Sequence, residues 1–441
     1  MAYTDLTLVE AKTQLAIRLG DPNKVFWTDA EIGIYIVEAL RTWGALTLYW
    51  KSKETITTVD GQVFYNIPAS VSNSMLTRTI TDQALATVLE YHLMEPPTPS
   101  TWTGSELYTL SDLQHAIQNR LTQFVMETGF GLGTSSQAVN VDQPTVTMAE
   151  SVVEIRRAWW RTPDPLYRPL FKTDEHIFNL LIPDWPTERG TPLGYSIVSS
   201  APLTVALCPI PNDTGAIEFI TLNTGTETNL ATGIILAVPD DLAWVIKWGA
   251  LADLFAKDGP SRDMNRSEYC EQRWREGLEI ARQYPAILSA RFQERPLRIC
   301  SLYDLDMAEP GWQETGEGNS TILALAGYDL GTFYPRPDGN LTQISLDVVR
   351  KAPIPSLDAD IIQIGREHYT AILDYAQHLA LVKVGGKEFL ETTKHYDRMV
   401  RAAAVQNTRI AAQSSKFKAL TEPTFREESQ RPRFVPDPDG V

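Results

Sequence analysis

The order of turns and apolar runs between residues 185 and 282 returns near the C-terminus. Trp185 with Gly190, then Pro209-Ile210-Pro211-Asn212-Asp213, the run 217–222, Pro239 and two helical stretches split by Asp258-Gly259 form one series. Trp312 with Gly316, then Pro335-Arg336-Pro337-Asp338-Gly339, the run 344–348, Pro355 and two helical stretches split by Gly385-Gly386 form the second. The spacing is 127 residues at Trp185/Trp312, 126 at Pro209/Pro335 and 116 at Pro239/Pro355. Trp274, Leu278 and Ala281 share their helical spacing with Tyr396, Val400 and Ala403. Such a period argues for a repeated module, a small β-domain followed by a helical hairpin, over two unrelated segments with common turn chemistry.

The N-terminal part has a helical grammar. Thr7-Leu8-Val9-Glu10 is a capping box opening a short helix, and Gly20 is placed to end it in a left-handed conformation. Thr28-Asp29-Ala30-Glu31 opens a helix to about Trp50 that is apolar on two faces, so it is central to a core or buried against another chain. The runs 55–59 and 63–67 flank Asp60-Gly61, the signature of a tight hairpin. A helix around 82–94, a Pro/Thr/Ser loop at 96–104 suited to docking, and a box at Ser111-Asp112-Leu113-Gln114 before a helix to about Thr128 follow. The runs 151–160 and 203–208 have strand character. The expected fold is α+β, in five segments: 1–68, capped helices with a β-hairpin; 69–149, a helical insertion; 150–285, a β-domain with a helical pair; 286–405, a degenerate second copy; and 406–441, an extended arm poor in aliphatics.

Lysine and arginine number 39 against 55 acidic residues, a net charge of −16. That balance argues against affinity gained by neutralising phosphates, though a DNA channel needs repulsion rather than affinity. With 441 residues, 43% hydrophobic, the chain is long enough for two to four packed units. Cys208, Cys270 and Cys300 are odd in number and far apart, which suits core thiols of a protein made in a reducing compartment rather than a disulfide or zinc framework. No basic start leads into an apolar run and no 18-residue apolar stretch occurs, so a soluble protein without membrane contact is expected.

No catalytic constellation, metal site or cofactor motif emerges, and the chain is not expected to be an enzyme. His92, His115, His176, His368, His378 and His395 show no ligand spacing, and Glu367-His368 are adjacent. Gly129-Phe130-Gly131-Leu132-Gly133 follows a helix where a phosphate loop wants a strand, and reads as a flexible loop. Asp304-Leu305-Asp306 lacks a third carboxylate and reads as a solvated loop. Arg156-Arg157-Ala158-Trp159-Trp160-Arg161 has the composition of a single-strand stacking platform, but in an acidic chain a structural edge or subunit contact is favoured. Candidate interaction residues are Trp159, Trp160, Trp248, Trp274 and Tyr396, with Phe425 and Phe434 in the arm.

The pattern resembles the head-to-tail adaptor (connector or neck) proteins of tailed bacteriophages. It does so in the two capped helices and a strand pair ending Phe64-Tyr65-Asn66-Ile67-Pro68, and in Trp185-x4-Gly190-x-Pro192-x2-Tyr195 before Leu207-Cys208-Pro209-Ile210-Pro211. The third element is Val238-Pro239-Asp240-Asp241 leading into Ile246-Lys247-Trp248-Gly249-Ala250-Leu251-Ala252, then Tyr269-x3-Arg273-Trp274-x2-Gly277. The resemblance covers 1–68 and 150–282, with 300–405 as a degenerate copy; 69–149 has no place in it. It implies a virion structural protein, synthesised in the host bacterial cytoplasm, forming a homo-oligomeric ring, commonly a dodecamer, at the neck. Such a ring binds the portal protein, extends the DNA channel with passive contact to packaged DNA, and docks downstream tail or neck proteins. It further implies that 240–282 and 356–405 build the ring wall while 406–441 reaches a neighbouring ring. Other readings are a tail-tube, tail-terminator or fibre-attachment subunit, a virion-associated hydrolase, and a DNA-binding module.

Overall fold

The computed structural model describes residues 5–59, 62–70, 74–94, 107–161, 167–200, 202–283, 287–309, 311–313, 316–337 and 343–421. Thr7 caps α1 (Leu8–Arg18) in a reciprocal box with Glu10, and Gly20 beyond it has φ 73°. Thr28 caps α2 (Asp29–Thr47), which ends on left-handed Leu48 and leads to β1 (Lys51–Thr57), β2 (Phe64–Asn66) and the single turn α3 (Ile67–Ser70). The same order then starts again. Thr81 caps α4 (Asp82–Leu93), Thr109 caps α5 (Leu110–Thr128), and β3 (Leu132–Val139) and β4 (Thr145–Thr147) follow.

The two helical openings match residue by residue. Both α2 and α5 have 19 residues, 81 positions apart, and bury Ile32/Leu113, Ile36/Ile117, Leu40/Leu121 and Trp43/Phe124 at equivalent places. Thr47 and Thr128 each donate a hydroxyl to the carbonyl four residues back at 2.7 Å. The segment 69–149, expected as an insertion without a counterpart, thus repeats 1–68. Its box is Thr109 with Asp112, two residues earlier than expected, because the Thr109 hydroxyl accepts the Asp112 amide.

The β-rich parts repeat likewise. The first holds β5 (Val152–Arg161), β6 (Tyr167–Pro169), β7 (Phe171–Thr173), the short helix α6 (Glu175–Leu181), β8 (Arg189–Gly190), β9 (Gly194–Ser200), β10 (Leu203–Cys208), β11 (Ile210–Pro211) and β12 (Gly215–Asn223). The hairpin α7 (Ala243–Ala256) and α8 (Met264–Arg282) closes it. The second holds β13 (Ile287–Phe292), β14 (Arg295–Pro296), β15 (Arg298–Ser301), α9 (Leu302–Ala308), β16 (Ile322–Ala326), β17 (Leu330–Tyr334) and β18 (Gln343–Val349), closed by α10 (Tyr369–Val384) and α11 (Gly386–Thr421). In both, a parallel pair (β7 with β9, β15 with β16) leads into a short helix. The Trp185 indole donates to Asn179 at 2.9 Å and the Trp312 indole to Asp306 at 2.8 Å.

Strand pairing shows that one copy is nested inside the other. β3 pairs with β12 and β4 with β10, whereas β1 pairs with β18 and β2 with β17, all antiparallel. Residues 82–282 therefore form a continuous inner module. Residues 8–66 and 287–421 form an outer module, with the inner one inserted between β2 and β13. Each carries two four-stranded sheets, β3-β12-β5-β6 with β4-β10-β9-β7, and β1-β18-β13-β14 with β15-β16-β17-β2. Even single backbone bonds recur: the Leu8 amide donates to the Asp360 carbonyl and the Asp82 amide to the Ile234 carbonyl, both at 2.9 Å.

Several expectations are corrected. β1 and β2 make no hairpin, because β1 gains a seven-residue ladder with β18, longer than either local run could offer. Asp60-Gly61 and the 96–104 loop lie outside the described residues. The counterpart of Pro239 is Gly365 rather than Pro355. Each precedes one 3-10 turn, Asp240–Leu242 or Arg366–His368, before its helix, and the spacing is then 126 as at Pro209/Pro335. The second helical pair accordingly begins at 366, not 356. The extended arm expected from 406 is instead helical to Thr421, as α11 continues past its last apolar stripe. The five segments regroup in space: one hydrophobic core runs through the helices of both modules, and the inner sheets enclose a core around Trp160, Val205 and Phe219.

Candidate functional site

Beside its Ile32–Trp43 stripe, α2 carries a second stripe, Glu31, Tyr35, Glu38, Thr42 and Ala45, at helical spacing. All five are buried, because the inner module covers Tyr35 and Glu38 while Lys383 of α10 closes over Glu31. Glu38 accepts a hydrogen bond from Lys247 Nζ at 2.5 Å, and that ammonium lies 3.9 Å from the centroid of the Trp248 ring. His92 Nε2 stands 3.4 Å from the same nitrogen. Tyr35 donates its hydroxyl to Glu31 at 2.6 Å, and Lys383 Nζ meets both Glu31 oxygens at 3.0 and 3.1 Å. Glu31 is thereby drawn away from the capping box expected with Thr28, of which only the bond from the Glu31 amide to the Thr28 hydroxyl is kept.

Farther along, α8 faces α10 and α11. The Arg273 guanidinium sits 3.2 Å from the Tyr396 ring centroid, donates to Glu276 at 2.6 Å and reaches the Tyr375 hydroxyl at 3.3 Å. Arg266 caps the end of α10 through the carbonyls of Val382 and Lys383, at 3.4 and 3.2 Å. Tyr269 Oη and His378 Nε2 are 2.6 Å apart, and His378 Nδ1 lies 3.0 Å from Thr392 Oγ1. Since the Thr392 hydroxyl donates to the Phe389 carbonyl, the network assigns the His378 proton to Nδ1 and makes Nε2 the acceptor.

Burial dominates the electrostatics. It pushes His378 down to about 3 and His92 well below the imidazole range, so both rings are neutral. Burial also lowers Lys247, against the pull of Glu38, and pushes the Cys270 thiol up to about 12. The seam's groups are spent on one another, an arrangement that fixes two modules in register. Beside it a cleft of about 460 Å³ opens between α1, α2, α4 and α7, with Val37 and Val88 on its walls and Lys12 and Arg41 at its edge. A groove of about 830 Å³ lies where the β-parts of the modules meet, with Arg156, Lys172, Phe171 and Tyr303 along it.

The candidate aromatics sit elsewhere than expected. Trp159 and Trp160 point to opposite sides of β5, Trp159 into a small cluster with Trp312 and Leu305, and Trp160 into the inner sandwich. Their buried rings can stack on no base, and β5 is flanked on both sides by β12 and β6, so it is no edge. Trp248, Trp274 and Tyr396 lie in the helical core. The contact surface assigned to these five is thus internal. The duplication supplies each chain with its own partner module, and Trp159 against Phe64 and Tyr396 under Arg273 are anchors of that join. Phe425 and Phe434 lie outside the described residues.

The motif Gly129 to Gly133 is a fixed helix exit rather than a flexible loop: Gly129 is the left-handed cap of α5, and the Gly131 amide donates to Asp329. Asp304 and Asp306 lie on α9, not in a loop; Asp304 closes a capping box with Ser301, and Asp306 binds Arg157 and the Trp312 indole. Cys208 and Cys270 are buried and Cys300 is half-buried. Among the described residues no group of three His, Cys, Asp or Glu side chains could hold a metal ion, and no helix is long and apolar enough to cross a membrane. The sequence reading missed Lys247–Glu38, Lys383–Glu31 and Tyr269–His378. The signal for the first two is the second stripe of α2, which carries Glu31 and Glu38; nothing local in the sequence pairs Tyr269 of α8 with His378 of α10. Compared with known proteins, the chain matches no family model and no curated protein.

Proposed function

We propose that the chain is a structural virion protein of a tailed bacteriophage, a head-to-tail adaptor whose copies form a ring beneath the portal, extend the DNA channel and dock the tail. The observation that carries this reading is the way the two modules join. Lys247–Glu38, Tyr269–His378 and Arg273–Tyr396 tie the α7 and α8 side of the inner module to the α2, α10 and α11 side of the outer one. A twofold relation would require the exchanged pairs, Leu373 with Asn119, Glu391 with Ala252, and His395 with Trp274. None of these can make the bond it would replace. His395 faces Asp374 of its own module at 3.9 Å, and the Trp274 ring carries Arg120 of its own module at 5.2 Å. Different faces therefore meet, which is the geometry of a step around a ring rather than of a closed pair.

The net charge of −16 supports the same reading, since acidic groups along a channel repel packaged DNA within a Debye length of about 8–10 Å. The partners are other copies of the chain, the portal protein and a downstream tail or neck protein, with DNA as passive cargo. The twelve ring positions come from the resemblance. Cryo-EM of the particle's portal vertex tests the proposal. Density for this chain directly beneath the portal supports it; density only in a tail tube, terminator or fibre base, or absence from the particle, rejects it.

A further inference from the structure

The cleft between α1, α2, α4 and α7 is apolar along its length and cationic beyond one end. Half-buried Ile34 and Val37 of α2 and Val88 of α4 line it, with exposed Ala30 and Ala84 beside them. At Arg41 it runs on into a second space of about 460 Å³, where Arg350 and Lys351 stand with Thr79, Asp240 and Asp241. The carboxylates there are satisfied. Asp240 accepts the Thr79 amide and hydroxyl, both at 2.6 Å, and the Ile80 amide at 3.0 Å, while Asp241 accepts the Ala352 amide. The cations are not satisfied. Among the described residues Arg41 and Arg350 make no ion pair, although Arg41 acts on Asp241 through space, and Lys351 is paired only loosely, 3.9 Å from Asp240. Arg41 Nε is closed to solvent and has no hydrogen-bond partner among the described residues. A guanidinium nitrogen left in that state marks a place for an anionic group.

We infer that this composite site receives residues 434–439 of a neighbouring copy of the chain. The run Phe434-Val435-Pro436-Asp437-Pro438-Asp439 has an apolar start, two prolines that favour an extended form and two carboxylates. Docked in that order, Phe434 and Val435 lie on Ile34, Val37 and Val88. Asp437 and Asp439, about 9 and 15 Å farther on, then meet Arg41, Arg350 and Lys351. Phe425, by contrast, is followed by Arg426, which those cations repel. Geometry favours a neighbour's segment over the chain's own. α11 starts where α10 ends, beside Glu31, and runs along α2 to Leu46, whose carbonyl accepts the Asn407 side chain at 2.7 Å. The 14 residues from there to Thr421 carry it about 21 Å onward, away from the cleft. A return to Arg41 of the same chain takes about 28 Å back along α2 and a passage around that helix. Residues 422–433 span at most about 40 Å fully extended, so the return leaves them nearly taut, and a neighbour's arm needs no such reversal. The ring reading supplies the neighbour, but the site and the segment are defined without it.

The test uses the full chain carrying Phe434→Ala, Asp437→Lys and Asp439→Lys, which leaves the site itself unchanged, and a fluorescein-labelled synthetic peptide of residues 430–441. Fluorescence anisotropy is expected to show the peptide binding this chain. Adding Ala84→Glu or Lys351→Glu, or scrambling the peptide, is expected to weaken binding by at least about tenfold, the scale of a misplaced charge in an interface. Both positions reach solvent, and circular dichroism melts verify folding. Hydrogen exchange of the wild-type chain is expected to slow across 30–41 and 84–88 as its concentration rises, and the arm variant to lack that protection. No peptide binding at millimolar concentration, equal binding by both site variants, or wild-type protection that is absent or independent of concentration overturns the inference. If peptide binding and protection are as expected but the chain is absent from virions, only the adaptor reading fails. If the chain sits beneath the portal and the peptide ignores the site variants, only the docking assignment fails.

Discussion

Lys383 and Lys257, 126 residues apart, make the same ion pair in two settings. Lys383 bonds Glu31 at 3.0 Å with both side chains nearly closed to solvent, while Lys257 bonds Asp112 at 2.5 Å with about a third of each exposed. Glu31 and Asp112 are themselves equivalent, the third residues of α2 and α5. The difference in burial arises because the outer pair lies among packed helices and the inner pair at the surface.

That difference sets their energetics. Lys383→Met leaves a buried carboxylate uncompensated and is expected to destabilise by about 3–5 kcal/mol, whereas Lys257→Met is expected to cost about 0–1 kcal/mol. Urea denaturation of the two variants measures this, and equal losses would contradict the placement of the two pairs. The double variant Lys383→Met with Glu31→Gln should recover much of the loss, since no lone charge then remains.

Gly277 in α8 packs closely against α7. A Cβ there would stand 2.7 Å from Val245 Cγ2 and 2.8 Å from Cγ1. Gly277→Ala gains about 1 kcal/mol of helix propensity but overpacks a core contact by about 1–3 kcal/mol. Net destabilisation, with a lowered melting temperature, is expected; a stabilised variant would show that the hairpin is looser than described.

Asp241 gives a pH dependence. Its buried carboxylate accepts the Ala352 amide at 2.8 Å, yet burial still pushes the group up to about 7 from 3.8. The folded state thus holds this proton more tightly than the unfolded chain does. The associated stability is fully present below about pH 4 and is lost as pH rises towards 7. Relative to wild type, Asp241→Asn should therefore gain stability from pH 4 to pH 8, read from denaturation midpoints at both ends. A difference that stays flat with pH would contradict it.

The sequence made much of this visible, and where it failed the reasons are physical. The caps at Thr7 and Thr28, the stripes on α2 and α8, and the 126–127 spacing of Trp185/Trp312 and Pro209/Pro335 depend on local chemistry and can be read along the chain. Nesting cannot, because β1 meets β18 across nearly 300 residues and a local turn pair such as Asp60-Gly61 offers a competing partner. The Pro355 match failed for a similar reason: the first turn of α10 is set up by Gly365, a different residue type in the same role. The aromatics Trp248, Trp274 and Tyr396 carried interface chemistry, but nothing local says whether the partner is another chain or another part of the same one.

The mass and symmetry of the assembled ring give the most direct measurement. On the proposed adaptor reading, if the two modules of a chain take successive places in a ring of twelve places rather than one place per chain, six chains are expected to fill it, an assembly of about 296 kDa, six times the 49.3 kDa chain, showing twelve lobes face-on. A ring of twelve chains at about 592 kDa, twelve times that mass, would mean that the inner and outer modules do not occupy successive ring positions. A closed twofold dimer would contradict head-to-tail joining altogether.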